Sequence, residues 1–259
     1  MSAGSLPMPC TTVTLAQPPD LRSHFARLHG AAWPAYMRHD PAAVVYWEEL
    51  LDRLAQYQVL LCGDDDQVVA IGNSVPVVWS GTPGGLPAGW DAALVQGISA
   101  RYHRRRVTAL CALAAIVEPS CRGRGLSRLV VEALKAVCAQ HSLADLIVPV
   151  RPSHKSRYPL VPMERYLAWV NADGLPFDPW VRVHARLGAS TLRIAPRSMV
   201  ITAMVTEWEE WAQMRFPESG SYVVPGALQL VAIDRAADEG LYEEPNVWMH
   251  HRVVSPRVT

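Results

Sequence analysis

The sequence lacks a net charge, closely spaced cysteines and any long apolar run. Its 24 Lys and Arg residues balance 24 Asp and Glu residues, so no global attraction to nucleic acid or to an anionic membrane is expected. The five cysteines form no CxxC pair, which disfavours a disulfide scaffold or a structural zinc site and favours a reducing, cytoplasmic location. The longest apolar run, Ala109–Val117, is far shorter than the ~20 residues that span a bilayer, so no membrane partner is predicted.

The 259 residues, half of them apolar, are enough to bury the core of one large domain. Residues 1–19 contain four prolines and neither a basic start nor an apolar stretch, so we predict a flexible N-terminal tail and no signal peptide. Residues 20–259 are predicted to form a single domain. Within it, residues 151–178 are rich in proline and polar groups, which indicates an insertion, and the chain after Gly188 is predicted to be a strand-rich C-terminal extension.

Two buried strands flank an amphipathic helix in the middle of the chain. Val107–Val117 is almost entirely apolar, which is typical of a strand that is buried on both faces. Ser127–Gln140 carries one apolar stripe at helical spacing, and Asp145–Val150 is again apolar. Further upstream, Asp40-Pro41 has the order of a helix cap followed by a first-turn proline, so a helix is predicted to begin there.

The segment between the first of these strands and the helix carries the chemistry. Pro119 restricts Glu118 to an extended conformation and ends the strand. Gly123 and Gly125 permit positive φ angles and a close approach of the backbone to a ligand. The helix behind them offers unpaired N–H groups and the positive end of its dipole. Full positive charges are added by Arg122, Arg124 and Arg128. This combination predicts a site for a pyrophosphate.

Two common pyrophosphate motifs do not fit. The GK[ST] of a Walker loop is absent, and a dinucleotide-binding fingerprint would place Arg128 where a small residue must pack. The run Arg122-Gly123-Arg124-Gly125-Leu126-Ser127 instead resembles the acyl-CoA-binding motif of the GNAT superfamily of N-acyltransferases, Arg/Gln-x-x-Gly-x-Gly/Ala, with Ser127 at the last position. Residues 183–189 are similar to the family's helix end followed by Leu-Gly-Phe, with Ala189 in place of Phe.

The resemblance implies an α/β fold with a mixed sheet and helices on both faces. Strands 107–117 and 145–150 would run parallel and splay apart, and the pantetheine arm of the cofactor would lie between them. Pro149 fits this arrangement, because a splayed pair has no ladder hydrogen bond to lose at that position. The implied co-substrate is acetyl-CoA or another acyl-CoA. It would be bound by Val117, Arg122, Gly123, Arg124, Gly125, Leu126 and Ser127.

Two residues are candidates for proton transfer. Glu118 follows the central strand, where its carboxylate is suited to take a proton from the acceptor amine; the alternative is a surface ion pair with Arg122 or Arg124. His184 lies on the inward stripe of a helix, where the family often has the tyrosine that protonates the leaving thiolate; the alternative is a hydrogen-bonded core histidine. Further candidates for that acid are Tyr158 and Tyr166. No metal site is predicted, since the neighbouring histidines 250 and 251 alternate faces on a strand.

We therefore predict an N-acyltransferase in which the primary amine of a small molecule attacks a coenzyme A thioester directly. Several acidic residues of the insertion and the C-terminal region are candidates to attract a cationic acceptor: Glu164, Asp173, Asp178, Glu243 and Glu244. In one alternative the donor is an aminoacyl-tRNA or a carrier-protein thioester, and the basic run 101–106 holds its phosphates. If the donor is free coenzyme A thioester, the same run either binds the 3′-phosphate of coenzyme A or is a solvated helix end. In another, the chain is a non-catalytic coenzyme A-binding regulatory module. The sequence leaves the oligomeric state open and allows a homodimer.

Overall fold

A computed structural model describes residues 10–17, 21–63 and 67–253. In this part of the chain the strands are β1 (Thr11–Thr14), β2 (Val59–Cys62), β3 (Val68–Val77), β4 (Ala109–Val117), β5 (Asp145–Val150), β6 (Ser190–Ala203), β7 (Gly220–Tyr222), β8 (Val231–Asp234) and β9 (Glu239–Arg252). The helices are α1 (Arg22–Ala32), α2 (Pro41–Arg53), α3 (Trp90–Tyr102), α4 (Leu126–Gln140), α5 (Met163–Leu167), α6 (Pro179–Arg186) and α7 (Val205–Ala212).

The described strands form one mixed sheet in the order β1-β2-β3-β4-β5-β9-β8-β7, with β6 paired to β9. β4 and β5 run parallel, and the other described pairs are antiparallel. Helices cover both faces. Gly72 of β3 faces α4, where an added Cβ would come within 2.7 Å of the Val130 side chain, whereas the adjacent Ile71 packs in a cluster with Phe25 of α1. The predicted α/β class with a mixed sheet is confirmed.

The N-terminal and C-terminal parts of the sheet differ from the sequence-based expectation. Thr11–Thr14, predicted as part of a flexible tail, pairs with β2, because its β-branched residues favour a strand. The predicted C-terminal extension contains β9, which lies between β5 and β8 in the interior of the sheet. β6 in the same extension continues past Pro196, where its pairing with β9 is irregular between Ala195 and Met199.

The helix predicted at Asp40-Pro41 is α2. The Asp40 side chain caps it by accepting a hydrogen bond from Ala43 N at 2.8 Å, and Pro41 occupies the first turn. α2 packs against α3, and both helices lie beside the opening that forms the site.

The insertion at 151–178 is packed against the domain through one buried carboxylate. Asp178 accepts hydrogen bonds from the backbone of Ser153 and His154 and from the Tyr166 hydroxyl, and it also caps α6 through Trp180 N at 2.9 Å. An aspartate that satisfies several donors at once joins the two ends of the insertion. The insertion is therefore an ordered part of the fold.

Candidate functional site

The site begins where β4 and β5 separate. The two strands are paired at Leu110 with Leu146 and at Cys111 with Ile147, and the pairing ends there. A bulge at Leu113, which has no partner on β3, bends β4 just beyond this point. Trp90 of α3 fixes the bulge by donating its indole N–H to the Leu113 carbonyl at 2.8 Å. The strands diverge as expected, and Pro149 lies past Ile147, the last residue of β5 that pairs with β4.

The loop after β4 has the backbone of an anion site. Gly123 and Gly125 have φ angles of 79° and 76°, a left-handed conformation that favours glycine. Gly125 precedes α4 directly, and no side chain caps this helix. The N–H groups of its first turn are therefore available to a phosphate, at the positive end of the helix dipole.

A cavity of about 790 Å³ connects this loop with the gap between β4 and β5. Its lining includes most of the residues predicted to bind the co-substrate: Val117, Arg122, Gly123, Gly125, Leu126 and Ser127. Arg124 is exposed and does not line the cavity. The volume is in the range of small-molecule and cofactor sites.

The cavity is lined by residues from both faces of the sheet, and one part of it lies beside α1, α2 and α3. We call this part the acceptor chamber; it is lined by Trp33, Met37, Arg38, Trp47, Trp90, Met199, Glu244 and Asn246. Trp47 stacks on Trp90 with 6.0 Å between ring centroids and 17° between ring planes. The sequence does not mark Trp33, Trp47 and Trp90 as site residues, because they come from three separate helical segments and no spacing connects them.

A histidine holds the aromatic wall of the acceptor chamber in place. His29 accepts a hydrogen bond from Trp33 Nε1 at 2.9 Å, and its other ring nitrogen bonds to Asn73 Oδ1 at 2.9 Å. The His29 ring also meets Trp47 edge-on. Burial lowers the pKa of His29 to about 4, so the ring is neutral near pH 7. Since both nitrogens are engaged, His29 orients the wall and has no nitrogen left for proton transfer.

Glu244 is the acidic group in the lining of the acceptor chamber. It is 1% exposed, and it accepts hydrogen bonds from Arg151 Nε at 2.8 Å and from the Tyr242 hydroxyl at 2.9 Å. Burial disfavours the charged Arg151 guanidinium, but the Glu244 carboxylate, together with Tyr36 and Tyr242, outweighs burial and raises the pKa of Arg151. Of the five acidic residues predicted to attract a cationic acceptor, Glu244 lines the cavity. Asp178 is committed to packing the insertion.

Glu118 does not reach the cavity lining. Its carboxylate pairs with Arg27 of α1, whose side chain is half exposed. Glu118 therefore forms an ion pair near the surface, which was the alternative to a base role. Its partner is Arg27, whereas Arg122 or Arg124 was predicted. The proposed base role of Glu118 gains no support from this arrangement.

His184 lies at the cavity, on the side of the sheet opposite the acceptor chamber. It is 1% exposed, and its Nδ1 is 2.8 Å from Nε2 of His251 on β9. Its Nε2 is buried without a hydrogen-bond partner. Burial, and secondarily His251, lowers the pKa of His184 to about 3. Tyr158 and Tyr166, the other candidates for the acid, do not line the cavity, and the Tyr166 hydroxyl donates to Asp178.

The basic run 101–106 lies at the far end of β4. Its residues are exposed and precede this nine-residue strand, whereas the glycine loop follows it. At about 3.3 Å per residue, the two ends of β4 are roughly 30 Å apart. The run is therefore too far from the loop to bind the 3′-phosphate of a coenzyme A held there.

Comparisons with known proteins decide the family. No family model matches the chain. Arginine N-acetyltransferase avaD of Aspergillus versicolor is 34% identical, and the match covers 96% of this chain and 96% of that protein. The chain belongs to the GNAT superfamily. This GNAT protein is an acyltransferase with an acyl-CoA co-substrate, which confirms the predicted enzyme class and sets aside the non-catalytic module.

Solved structures support the fold of this GNAT protein. The loading GNATL domain of CurA from Lyngbya majuscula matches with a TM-score of 0.58 and 16% identity over 95% of this chain and 98% of that domain. The GphF GNAT-like decarboxylase in complex with isobutyryl-CoA matches with a TM-score of 0.59 and 16% identity over 94% of this chain and 100% of that one. Within the described ranges, no helix has the length and apolar character that crossing a membrane requires.

Proposed function

We propose that the protein transfers an acetyl group from acetyl-CoA to the α-amino group of arginine or of a closely related guanidino amino acid. The observation that carries this proposal is the continuous cavity. It joins the glycine loop 122–127, through the gap between β4 and β5, to an aromatic chamber with a buried carboxylate. The relative named as an arginine N-acetyltransferase supports the choice of acceptor.

The chemistry of the acceptor chamber suits a guanidinium group. A planar cation is stabilised over the face of an indole ring, by roughly 0.5–2 kcal/mol depending on desolvation. Trp33 and Trp47 are half-buried in the lining and available for such stacking. The exposed Arg38, also in the lining, is suited to pair with the α-carboxylate of an amino acid.

The buried charges around the chamber also favour a cationic ligand. The carboxyl groups of Asp40 and Asp91 interact with each other behind the wall, and both are influenced by Glu244. Arg151 balances one of these negative charges. With one proton held between the two aspartates, the four groups Asp40, Asp91, Glu244 and Arg151 together carry one excess negative charge.

The α-amino group is the expected nucleophile. A guanidinium stays protonated at any physiological pH and has no lone pair to offer, whereas an amine with a pKa several units lower can lose its proton and attack. The amine nitrogen would attack the thioester carbonyl directly, a C–N bond would form as the C–S bond breaks, and coenzyme A would leave as its thiolate. The carbonyl oxygen would accept a hydrogen bond from the β4 backbone near Val117, on the edge that β5 leaves unpaired.

Acetyl transfer to arginine is tested by following free thiol release from acetyl-CoA with arginine and with norvaline, which keeps the α-amino acid but lacks the guanidinium. We expect kcat/KM for arginine to exceed that for norvaline by at least about tenfold, because the cation–aromatic and charge interactions are lost with norvaline. NMR of the product should place the acetyl group on the α-nitrogen. Equal rates with both amino acids, or acetylation of the guanidinium, would refute the proposal.

A further inference from the structure

We propose that His184 carries the proton from the attacking nitrogen to the leaving sulfur, and that His251 is the positioning residue that keeps the His184 Nε2 lone pair free for this step. This inference rests on the proposed acyl transfer to an amine but not on arginine being the acceptor. It changes the role predicted for His184, from a donor to the thiolate to a carrier that first accepts a proton.

The hydrogen-bond geometry allows two proton arrangements in the histidine pair. His184 Nδ1 and His251 Nε2 are 2.8 Å apart, so one of them must donate to the other. The two outer nitrogens, His184 Nε2 and His251 Nδ1, are both buried without a hydrogen-bond partner. His184 belongs to the cavity lining and His251 does not, so the His184 end of the pair is the one beside a bound ligand. We assign the arrangement in which His184 Nδ1 donates to His251 and His184 Nε2 carries the lone pair, because only this arrangement lets Nε2 accept a proton first.

The surroundings keep both rings neutral before the reaction. Burial lowers the pKa of His251 to about 4, with smaller contributions from Lys135 of α4 and from His250. The ring of Trp180 packs edge-on against His184 at 4.3 Å between centroids. Lys135 of α4 and His250 of β9 thus add positive charge beside His251. The Leu187 backbone at the end of α6 favours the charged form of His251, but burial outweighs it and the ring stays neutral.

One imidazole nitrogen can serve both partners of the reaction. In the tetrahedral intermediate, the attacking nitrogen and the sulfur are bonded to the same carbon, so both lie near any group that touches that carbon. His184 Nε2 takes a proton from the nitrogen, and the resulting imidazolium is held by the hydrogen bond from its Nδ1 to His251. The C–S bond breaks, and the imidazolium gives the same proton to the sulfur. From the neutral amine onward the step is balanced, since the proton that leaves the nitrogen is the one that the sulfur receives. The proton that the ammonium form loses before the attack is released to solvent.

The position of His184 fits this role. Its helix, α6, lines the cavity beside Val148 and Pro149 of β5, where β5 has left β4 and a pantetheine arm would pass. An unpartnered polar nitrogen in a buried ring is costly unless a ligand completes it. The attacking amine supplies that missing donor.

The test compares two substitutions at the positioning residue. His251→Gln keeps an acceptor oxygen near the position of Nε2, and His251→Leu removes it. For His251→Leu we expect kcat to fall at least about tenfold, with the KM for acetyl-CoA unchanged, and for His251→Gln we expect most of kcat to be kept. His184→Gln should lower kcat by about 10²–10⁴-fold. Thermal unfolding of each variant shows that it is folded.

The tautomer is read independently of activity by nitrogen-15 NMR of the His184 ring. We expect Nδ1 protonated and Nε2 unprotonated in the wild type and in His251→Gln, and a change in His251→Leu. A protonated Nε2 in the wild type, or an equal loss of kcat in both His251 variants, would overturn the proposal. If arginine proves not to be the acceptor, the NMR result stands, and turnover is compared with the amine that releases thiol fastest.

Discussion

At the scale of single residues, the left-handed backbone of Gly125 means that the anion loop favours glycine at this position. An added Cβ would meet no atom within 4 Å, so Gly125→Ala acts through backbone strain alone, at about 1–2 kcal/mol. The alanine variant relieves this strain when its loop relaxes, and coenzyme A must then restore the strained loop conformation on binding. The Kd of coenzyme A should therefore rise about 5–30-fold. Isothermal titration with coenzyme A measures this.

The matched control is Gly174→Ala in the insertion. Gly174 has a φ angle of 73° and equally open surroundings, but it lies outside the cavity lining. It should lower the free energy of unfolding by a similar amount and leave the Kd of coenzyme A unchanged. An equal loss of affinity in both variants would mean that the loop backbone has no particular role.

The Arg27–Glu118 ion pair gives a second prediction at this scale. Because the carboxylate is paired outside the cavity, Glu118→Gln should change kcat less than about threefold, as expected for the loss of a partly exposed ion pair. The pH profile of kcat should keep its shape. A loss of 10²-fold or more, with a missing acidic limb, would instead restore the base role predicted from the sequence.

At the residue scale, the sequence allows a prediction where the signal is local. The residues of 122–127 are consecutive, so strand end, glycines and helix start could be read together from one segment. His251 and Trp47 could not be found this way, since each acts through a neighbour that is distant in sequence: His251 through His184, and Trp47 through Trp90. Tertiary contacts of this kind do not change the pattern of apolar and polar residues in either of the two contacting segments, so that pattern cannot predict them.

At the scale of secondary-structure elements, two buried aspartates join three of them. Asp40 caps α2, and Asp91 in the first turn of α3 accepts a hydrogen bond from Val200 N of β6 at 3.0 Å. Each carboxyl group has a second buried oxygen with no hydrogen-bond donor, and the two groups interact with each other. A shared proton satisfies both oxygens. Burial first, and then the charge of Asp40, raises the pKa of Asp91 to about 8.

This aspartate pair predicts a pH-dependent stability. The folded state holds a proton that the unfolded chain releases near its usual pKa of 3.8. The stabilisation is therefore complete below about pH 4 and is lost as the pH rises towards 8, by at most about 1.4 kcal/mol per pH unit. Urea unfolding between pH 5 and 9 should show this slope in the wild type and a flatter one in Asp91→Asn. Asp173→Asn, on an exposed turn, should keep the wild-type slope.

Elements were predicted best where one segment contained its own boundaries. Asp145–Val150 has the same limits in sequence and structure, because a polar start and a following Arg-Pro pair bracket the apolar run. The first half of β9 has no such local signal, since Glu239–Asn246 is largely polar in sequence yet is held in the sheet by pairing with β6 and β8. Pairing partners from elsewhere in the chain decide such strands.

At the scale of the whole molecule, the distance between the two ends of β4 separates the basic run from the site. Replacing Arg104, Arg105 and Arg106 together by Gln should leave kcat/KM for acetyl-CoA and its salt dependence unchanged. The reason is that this surface lies roughly 30 Å from the glycine loop. Steady-state kinetics at two ionic strengths check this. A large rise in KM would mean that the run contacts the donor, as the tRNA and carrier-protein alternatives require.

The interior position of β9 has a consequence for how this enzyme can diversify. Successive side chains of a strand point to opposite faces, so Glu244 and Asn246 face the acceptor chamber while His251 faces α6. A point substitution at Asn246, which lines the acceptor chamber, would thus change substrate choice without disturbing His251 on the other side. Inserting or deleting one residue would exchange the two sides and destroy both at once.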